Sequence, residues 1–320
     1  MTNWGIKLLQ AEAVERLQAL QGDVESLRLF DFPDYSNIGD SAIAAGQFAF
    51  WKRIGTQVKQ VISGPGVQQR DLTGHTPVVL QGGGNLGSLY PPMQQLRLRV
   101  LLGLPEGVPI IQFPQSVFFD NDVDRAAFQD AVASRNPEPR WGVRDQNSYR
   151  ALSDLVSNVI RVPDAAHALG ELPAPDATQP VFVLARQDAE VAAADRPLLA
   201  QDWPTGGLPT RALHRVKYSG ATPDALRVAY RRTPDFWRRQ AFSRLARGVK
   251  ILSVGETVVT DRLHGMLLAL QMGRRVVAID NNNGKLSDYV RTWHLDHRLP
   301  VQLADNFTQA LQLANAPRPL

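Results

Sequence analysis

Asp261, Arg262 and His264 fall in one short turn, where a β-branched strand gives way to an apolar helix. The stretch 257–280 reads as strand, polar turn, helix stopped by Gly273, and a second strand. The free amides and the dipole at the start of a helix form an anion site, and a guanidinium and an imidazole reinforce it. Lys285 follows the second strand after the turn Asn281-Asn282-Asn283-Gly284. Such a set suits a small, highly charged anion bound at the end of a sheet. The same residues also serve as helix-capping groups and a solvated lysine, and spacing alone leaves both readings open.

Two further arginines share this placement. Arg144 follows a strand expected at 141–143, and Arg186 follows one expected at 181–185. Arginine grips carboxylate or phosphate oxygens in pairs, whereas lysine acts as a point charge. Several cations converging on one pocket imply a ligand with more than one anionic group. His264 brings an imidazole, a side chain suited to acid or base work. Asn37-Ile38-Gly39-Asp40 sits between a strand at 27–31 and a helix at 41–51, where Asp40 can cap the helix. Gly82-Gly83-Gly84-Asn85 follows a strand at 77–81 directly, and three glycines in a row let a ligand approach the backbone. Gln115 follows a strand at 109–113, and Asp164 one at 158–162.

Strands alternating with helices must position these residues, and that alternation indicates a parallel, doubly wound sheet. Almost every candidate polar residue lies at the carboxyl end of a strand, the edge along which open α/β sheets bind ligands. Residues 171–180 carry three prolines and read as a linker. The expected organisation is therefore an N-terminal α/β domain at 1–170, the linker, and a C-terminal α/β domain at 181–320, meeting across a cleft. Residues 187–212 read as mostly loop, 213–218 as a strand, and 223–231 and 234–254 as helices, with closing helices at 286–293 and 305–314.

At 320 residues, 44% hydrophobic and 21% charged, the chain is long enough for two cores. It contains no cysteine, which excludes disulfides, zinc–cysteine sites and cysteine catalysis. No histidine or carboxylate cluster has metal-ligand spacing, so no metal is expected. The G-x-S-x-G elbow, the Walker loop and the dinucleotide fingerprint are all missing. The first residues form an amphipathic helix without a signal-peptide core, and no apolar run approaches the ~20 residues of a membrane span. A cytoplasmic protein is expected. Its net charge of +4 is mild, but residues 227–250 are rich in arginine, with Phe236, Trp237 and Phe242 among them. A solvated helix face accounts for this, and peripheral contact with an anionic membrane surface is the alternative. No nucleic-acid partner is expected.

Asn37-Ile38-Gly39-Asp40, Gly82-Gly83-Gly84-Asn85, Pro114-Gln115-Ser116, Val143-Arg144-Asp145 and above all Thr260-Asp261-Arg262-Leu263-His264-Gly265 occur in this order. In this the chain resembles the polysaccharide pyruvyl transferase family from about residue 30 to 293, most weakly between 187 and 235. The resemblance implies two Rossmann-like domains of glycosyltransferase-B type. It also implies transfer of pyruvate from phosphoenolpyruvate to a sugar of an exopolysaccharide or cell-surface glycan precursor, as a cyclic ketal and with no cofactor. The donor would be bound by Arg144, Arg186, Arg262, His264 and Lys285. His264 would act as acid and Asp40 as base for the acceptor hydroxyl, with Asn37, Gly83, Gly84, Asn85 and Gln115 on the acceptor side. The partners would be phosphoenolpyruvate and a glycan or lipid-linked oligosaccharide. A nucleotide-sugar glycosyltransferase of the same architecture and a non-catalytic sugar- or phosphate-binding protein are the competing readings.

Overall fold

A computed structural model describes residues 4–187, 195–204, 232–280 and 284–316. After a first helix, α1 (Trp4–Gln21), the chain alternates strand and helix: β1 (Ser26–Phe32), α2 (Ile38–Ile54), β2 (Gln57–Ser63), β3 (Val78–Leu80), β4 (Gly83–Gly87), α3 (Pro91–Gly103), β5 (Ile110–Phe118), α4 (Asp122–Ala133), β6 (Arg140–Val143), α5 (Gln146–Ser153) and β7 (Val159–Arg161). A turn of 3₁₀ helix at Ala165–Leu169 and β8 (Gln179–Leu184) follow. Next come α6 (Pro234–Leu252), β9 (Gly255–Thr260), α7 (Leu263–Gln271), β10 (Arg275–Ile279), α8 (Lys285–Thr292), α9 (Leu295–Arg298), β11 (Val301–Ala304) and α10 (Phe307–Asn315).

The strands form two parallel sheets. One runs β2-β1-β3-β5-β6-β7, with β4 paired to β5, and the other runs β11-β10-β9-β8. In the first sheet the chain moves outward from β1 to β2, then crosses back to β3. That reversal opens a crevice at the carboxyl ends of β1 and β3, the usual ligand position in such sheets. The segments carrying Asn37–Asp40 and Gly82–Asn85 leave from those two ends.

The glycine run enters the sheet itself. Gly83–Gly87 is a short strand against β5, which itself continues through Pro114-Gln115-Ser116 to Phe118. The glycines permit that close pairing: a Cβ on Gly87, whose φ is +105°, would lie 2.0 Å from the Phe118 carbonyl oxygen. β11 and α9 lie where no element was expected, being too short to show periodicity. The strand expected at 213–218 and the helix expected at 223–231 lie outside the described residues, as does the turn 281–283.

The two sheets share a layer of helices. One apolar core takes in Leu9 and Leu17 of α1, Phe48 and Trp51 of α2, Trp237 and Leu245 of α6, and Leu267 of α7, along with Val79, Phe182 and Val258 from the sheets. Burying each such side chain contributes roughly 1.5–3 kcal/mol. Separate apolar clusters cover the far face of each sheet. Residues 171–178 run without regular structure between them, pinned where the Leu172 amide donates to Gln271 and the Thr178 amide to Val254.

Candidate functional site

One cavity of about 300 Å³ is lined by Asn37, Asp40, Gly84, Asn85, Arg144, Arg186, Arg262, His264 and Lys285, and by Tyr35, Tyr90, Met93 and Trp203. Each charged or amide residue of the first set except Asn85, which lies within β4, follows a strand. Asn37 and Asp40 come after β1, and Arg144 after β6. Arg186 follows β8, Arg262 and His264 follow β9, and Lys285 follows β10.

The local devices that hold them can be traced. The Asn37 side chain caps α2 by accepting from the Gly39 amide at 2.8 Å. Asp261 is buried, and its Oδ1 accepts from the Arg186 amide at 2.9 Å, tying together the ends of β8 and β9. The Arg262 amide donates to Thr260 Oγ1, which sharpens the turn into α7. Gly284, at φ +61°, turns the chain into α8, and Asp280 Oδ1 accepts from the Leu286 amide. Lys285 thus heads a helix anchored by its own strand.

α8 is also docked on the first sheet. Trp293 Nε1 donates to the Arg144 carbonyl at 2.8 Å, the Asp164 amide donates to Tyr289 Oη at 2.9 Å, and Asp288 accepts from the Asn147 amide. Burial, and then the like charge of Asp145, push the Asp288 carboxyl up from its ordinary pKa.

Two carboxylates organise the cations. Asp164 Oδ2 accepts from Arg144 Nη1 at 2.8 Å and lies 3.1 Å from His264 Nε2. Burial alone would raise the Asp164 pKa. The charges and hydrogen bonds of His264 and Arg144 outweigh it and hold the carboxyl well below the usual carboxylate range. Asp202 takes the Arg262 guanidinium through both oxygens, with Nη2 donating at 2.8 Å. Arg144 Nε also donates to Ser116 Oγ. Asp40 is pushed above its ordinary pKa by burial, against the opposing pull of His264, a Tyr35 hydrogen bond and Arg144. A carboxyl poised in this way exchanges a proton closer to neutrality than a solvated one.

Not every expected site residue lies on the cavity. Gln115 and Gly83 stand behind its wall. Gln115 Nε2 donates to the Gln81 carbonyl and to Asn85 Oδ1, and its Oε1 accepts from the Asn85 amide. Arg97 completes this bracket, with Nη1 donating to the Asn85 carbonyl, Nη2 to Asn85 Oδ1 and Nε to Gln112. Gln115 therefore holds the β4 segment that presents Gly84 and Asn85. Gly84 itself is constrained by the site, since a Cβ there would lie 3.0 Å from Arg144 Nη2.

Sequence reasoning passed over Asp202, Tyr35, Tyr90, Met93 and Trp203, and noted Asp164 only for its place after a strand. In α6, Trp237 is buried and Arg244 turns inward to the Pro33 carbonyl and Asp34, while Arg238, Arg239, Phe242, Arg247 and Lys250 remain exposed. Among the described residues, no helix is long and apolar enough to cross a membrane, and no group of three histidines or carboxylates could hold a metal ion.

Comparison with known proteins bears on this site. Over 282 residues the chain is 28% identical to a Bacillus subtilis protein named as a pyruvyl transferase, EpsO, covering 82% of this chain and 84% of that one. Pyruvyl transferase 1 of Schizosaccharomyces pombe is 27% identical over 291 residues, covering 84% and 70%. A crystal structure of an uncharacterised Klebsiella pneumoniae protein shares the fold, with a TM-score of 0.60 at 16% identity over 95% of this chain and 99% of that one. The family model of polysaccharide pyruvyl transferases matches residues 37–283, a span that begins at Asn37 and takes in Asp40, Arg144, Arg262 and His264. The chain belongs to the polysaccharide pyruvyl transferase family, and is a transferase that acts in pyruvyl transfer to polysaccharide.

Proposed function

We propose that the protein moves pyruvate from phosphoenolpyruvate onto two hydroxyls of one sugar in a cell-surface glycan or its lipid-linked precursor, releasing phosphate. The observation that carries this reading is the convergence of Arg144, Arg186, Arg262, His264 and Lys285 on one cavity that also holds Asp40. Phosphoenolpyruvate bears a phosphate and a carboxylate on a small frame, which matches such a set of cations. The two sheets are then two Rossmann-like units of glycosyltransferase-B type. The second unit and Arg144 grip the donor, while Asn37, Asp40 and the Gly84–Asn85 segment of β4 face the acceptor.

In this scheme His264 supplies the proton that converts the donor's methylene to a methyl group, leaving an oxocarbenium-like carbon. A sugar hydroxyl attacks that carbon and gives its proton to Asp40. A second hydroxyl then displaces phosphate, which leaves with that hydroxyl's proton, and closes the ketal. Cations around the departing phosphate lower the barrier by stabilising charge where it develops. Phosphoenolpyruvate is a cytoplasmic metabolite, so the reaction runs there. The exposed basic face of α6 would hold the enzyme near a lipid-linked acceptor.

Calorimetric titration with phosphoenolpyruvate tests the donor. Saturable binding is expected in the wild type and should be lost in a His264→Ala/Lys285→Ala variant. Binding of a uridine diphosphate in place of phosphoenolpyruvate would overturn the assignment.

A further inference from the structure

Asp164 is only 1% exposed and belongs to the turn after β7, while His264 opens the helix after β9 in the other sheet. Oδ1 of Asp164 accepts from the Ala166 amide at 2.9 Å, and Oδ2 meets both Arg144 Nη1 and His264 Nε2. The Ala166 amide and the Arg144 guanidinium are donors, and a carboxylate without a proton can only accept. At 3.1 Å, His264 Nε2 makes a hydrogen bond to that oxygen only when it carries hydrogen itself.

The other nitrogen, Nδ1, lies on the Gly39 side of the ring. A Cβ on Gly39 would stand 2.8 Å from it, so glycine leaves that atom clear. Among the described residues, the charged and titratable groups near the ring include Asp40 and Tyr35 from α2 and the loop before it, Arg144 after β6, Arg186 after β8, Arg262 on the same turn, Lys285 at the head of α8, and His167. Burial lowers the His167 pKa to about 4, so that ring is neutral at physiological pH.

We infer that Asp164 is a positioning residue that fixes a proton on His264 Nε2 and leaves Nδ1 as the nitrogen that exchanges a proton with substrate. The exchange rests on the proposed function; the tautomer does not. Because the same carboxylate oxygen holds Arg144, the imidazole and one donor-gripping guanidinium are set by a single group. Asparagine at 164 cannot satisfy this arrangement, since its amide sets a donor either against the Ala166 amide or against Arg144 and His264. It also removes the negative charge that supports the imidazolium.

The experiment is nitrogen-15 NMR of histidine-labelled protein, with His264→Gln assigning the resonance. In the wild type, neutral His264 should show a protonated Nε2 and a bare Nδ1. In Asp164→Asn its titration midpoint should fall by about one to three pH units, the range for loss of an adjacent opposite charge. A wild-type ring protonated on Nδ1, or an unmoved midpoint in folded Asp164→Asn, overturns the inference. If that variant does not fold, the wild-type tautomer alone decides. No substrate enters this measurement. An Nε2-protonated ring in a protein that fails to bind phosphoenolpyruvate would keep the positioning role and remove the donor assignment.

Discussion

Single residues divide into those that face the cavity and those that hold them. Arg262 and Lys285 face it after adjacent strands, β9 and β10, and in the proposed scheme both belong to the donor subsite. Replacing either with alanine should raise KM for phosphoenolpyruvate at least ~10-fold, as expected for a charge-assisted contact worth ~1.5–3 kcal/mol, and leave KM for the acceptor near its original value. Phosphate-release kinetics with each substrate varied in turn would check this, and equal effects on both would count against the subsite. Gly84→Ala pushes a methyl group toward Arg144 Nη2 and should lower activity without unfolding the protein, which circular dichroism beside the rate would show. Asp31 belongs to the holding group. It is buried at φ +68°, its Oδ2 has no hydrogen-bond partner among the described residues, and Arg97 lies 3.9 Å away. Burial raises its pKa to about 6 despite the opposing charge of Arg97. The folded state thus keeps a proton that the unfolded chain loses near pH 4. Asp31's contribution is full below about pH 4 and is lost as pH rises through about 6, a fall of about 3 kcal/mol. Urea denaturation should show Asp31→Asn gaining stability over the wild type across that window, and no gain would mean that Asp31 is ionised in the native protein.

At the scale of elements, the carboxyl ends of strands supply the chemistry and the helix docks set its precision. α8 starts in the second sheet's connection but is fastened to the first by Tyr289 and Trp293. Trp293→Phe removes one buried hydrogen bond to the Arg144 carbonyl. It should cost about 1–3 kcal/mol of stability and raise KM for phosphoenolpyruvate, because Arg144 and Lys285 lose a common support. Denaturation and donor kinetics on the one variant would test both, and an unchanged KM would mean that the dock is only structural. The alternation of strands and helices was legible because buried parallel strands and an apolar helix such as α7 leave strong periodic patterns. Arg144, Arg186, Arg262, His264 and Lys285 were legible because each follows a strand closely. Asp164 and Asp202 were not, since their partners lie far along the chain and no local spacing records a contact between His264 and a carboxylate 100 residues earlier. Gln115, expected on the acceptor side, stands behind the cavity wall for a related reason. A glutamine after a strand reads as a ligand group until β5 is seen to continue past it and Asn85 in β4 to occupy both ends of its amide.

For the whole molecule, the decisive fact is that α2 of the first sheet's half and α6 of the second belong to one apolar core. Phe32 and Trp237 meet at 4.7 Å between ring centroids, and a Cβ on Gly248 would lie 2.4 Å from a methyl carbon of Ile38, so the two helices are packed without slack. Splitting the halves would expose that surface at a cost comparable to a domain's net stability, since each large side chain there contributes roughly 1.5–3 kcal/mol. Both halves should therefore unfold together, giving one calorimetric transition although the chain carries two sheets. Under the proposed function, phosphoenolpyruvate would be held by residues from both sheets and should move that single transition upward, by the equivalent of ~2.7 kcal/mol at a hundredfold excess over its Kd. Lys285→Ala should shrink the shift and leave the transition single. Two resolved transitions, with only the one from the β8–β11 half moved by ligand, would mean that the α2–α6 contact does not couple the halves and that Arg144 contributes little to holding the donor.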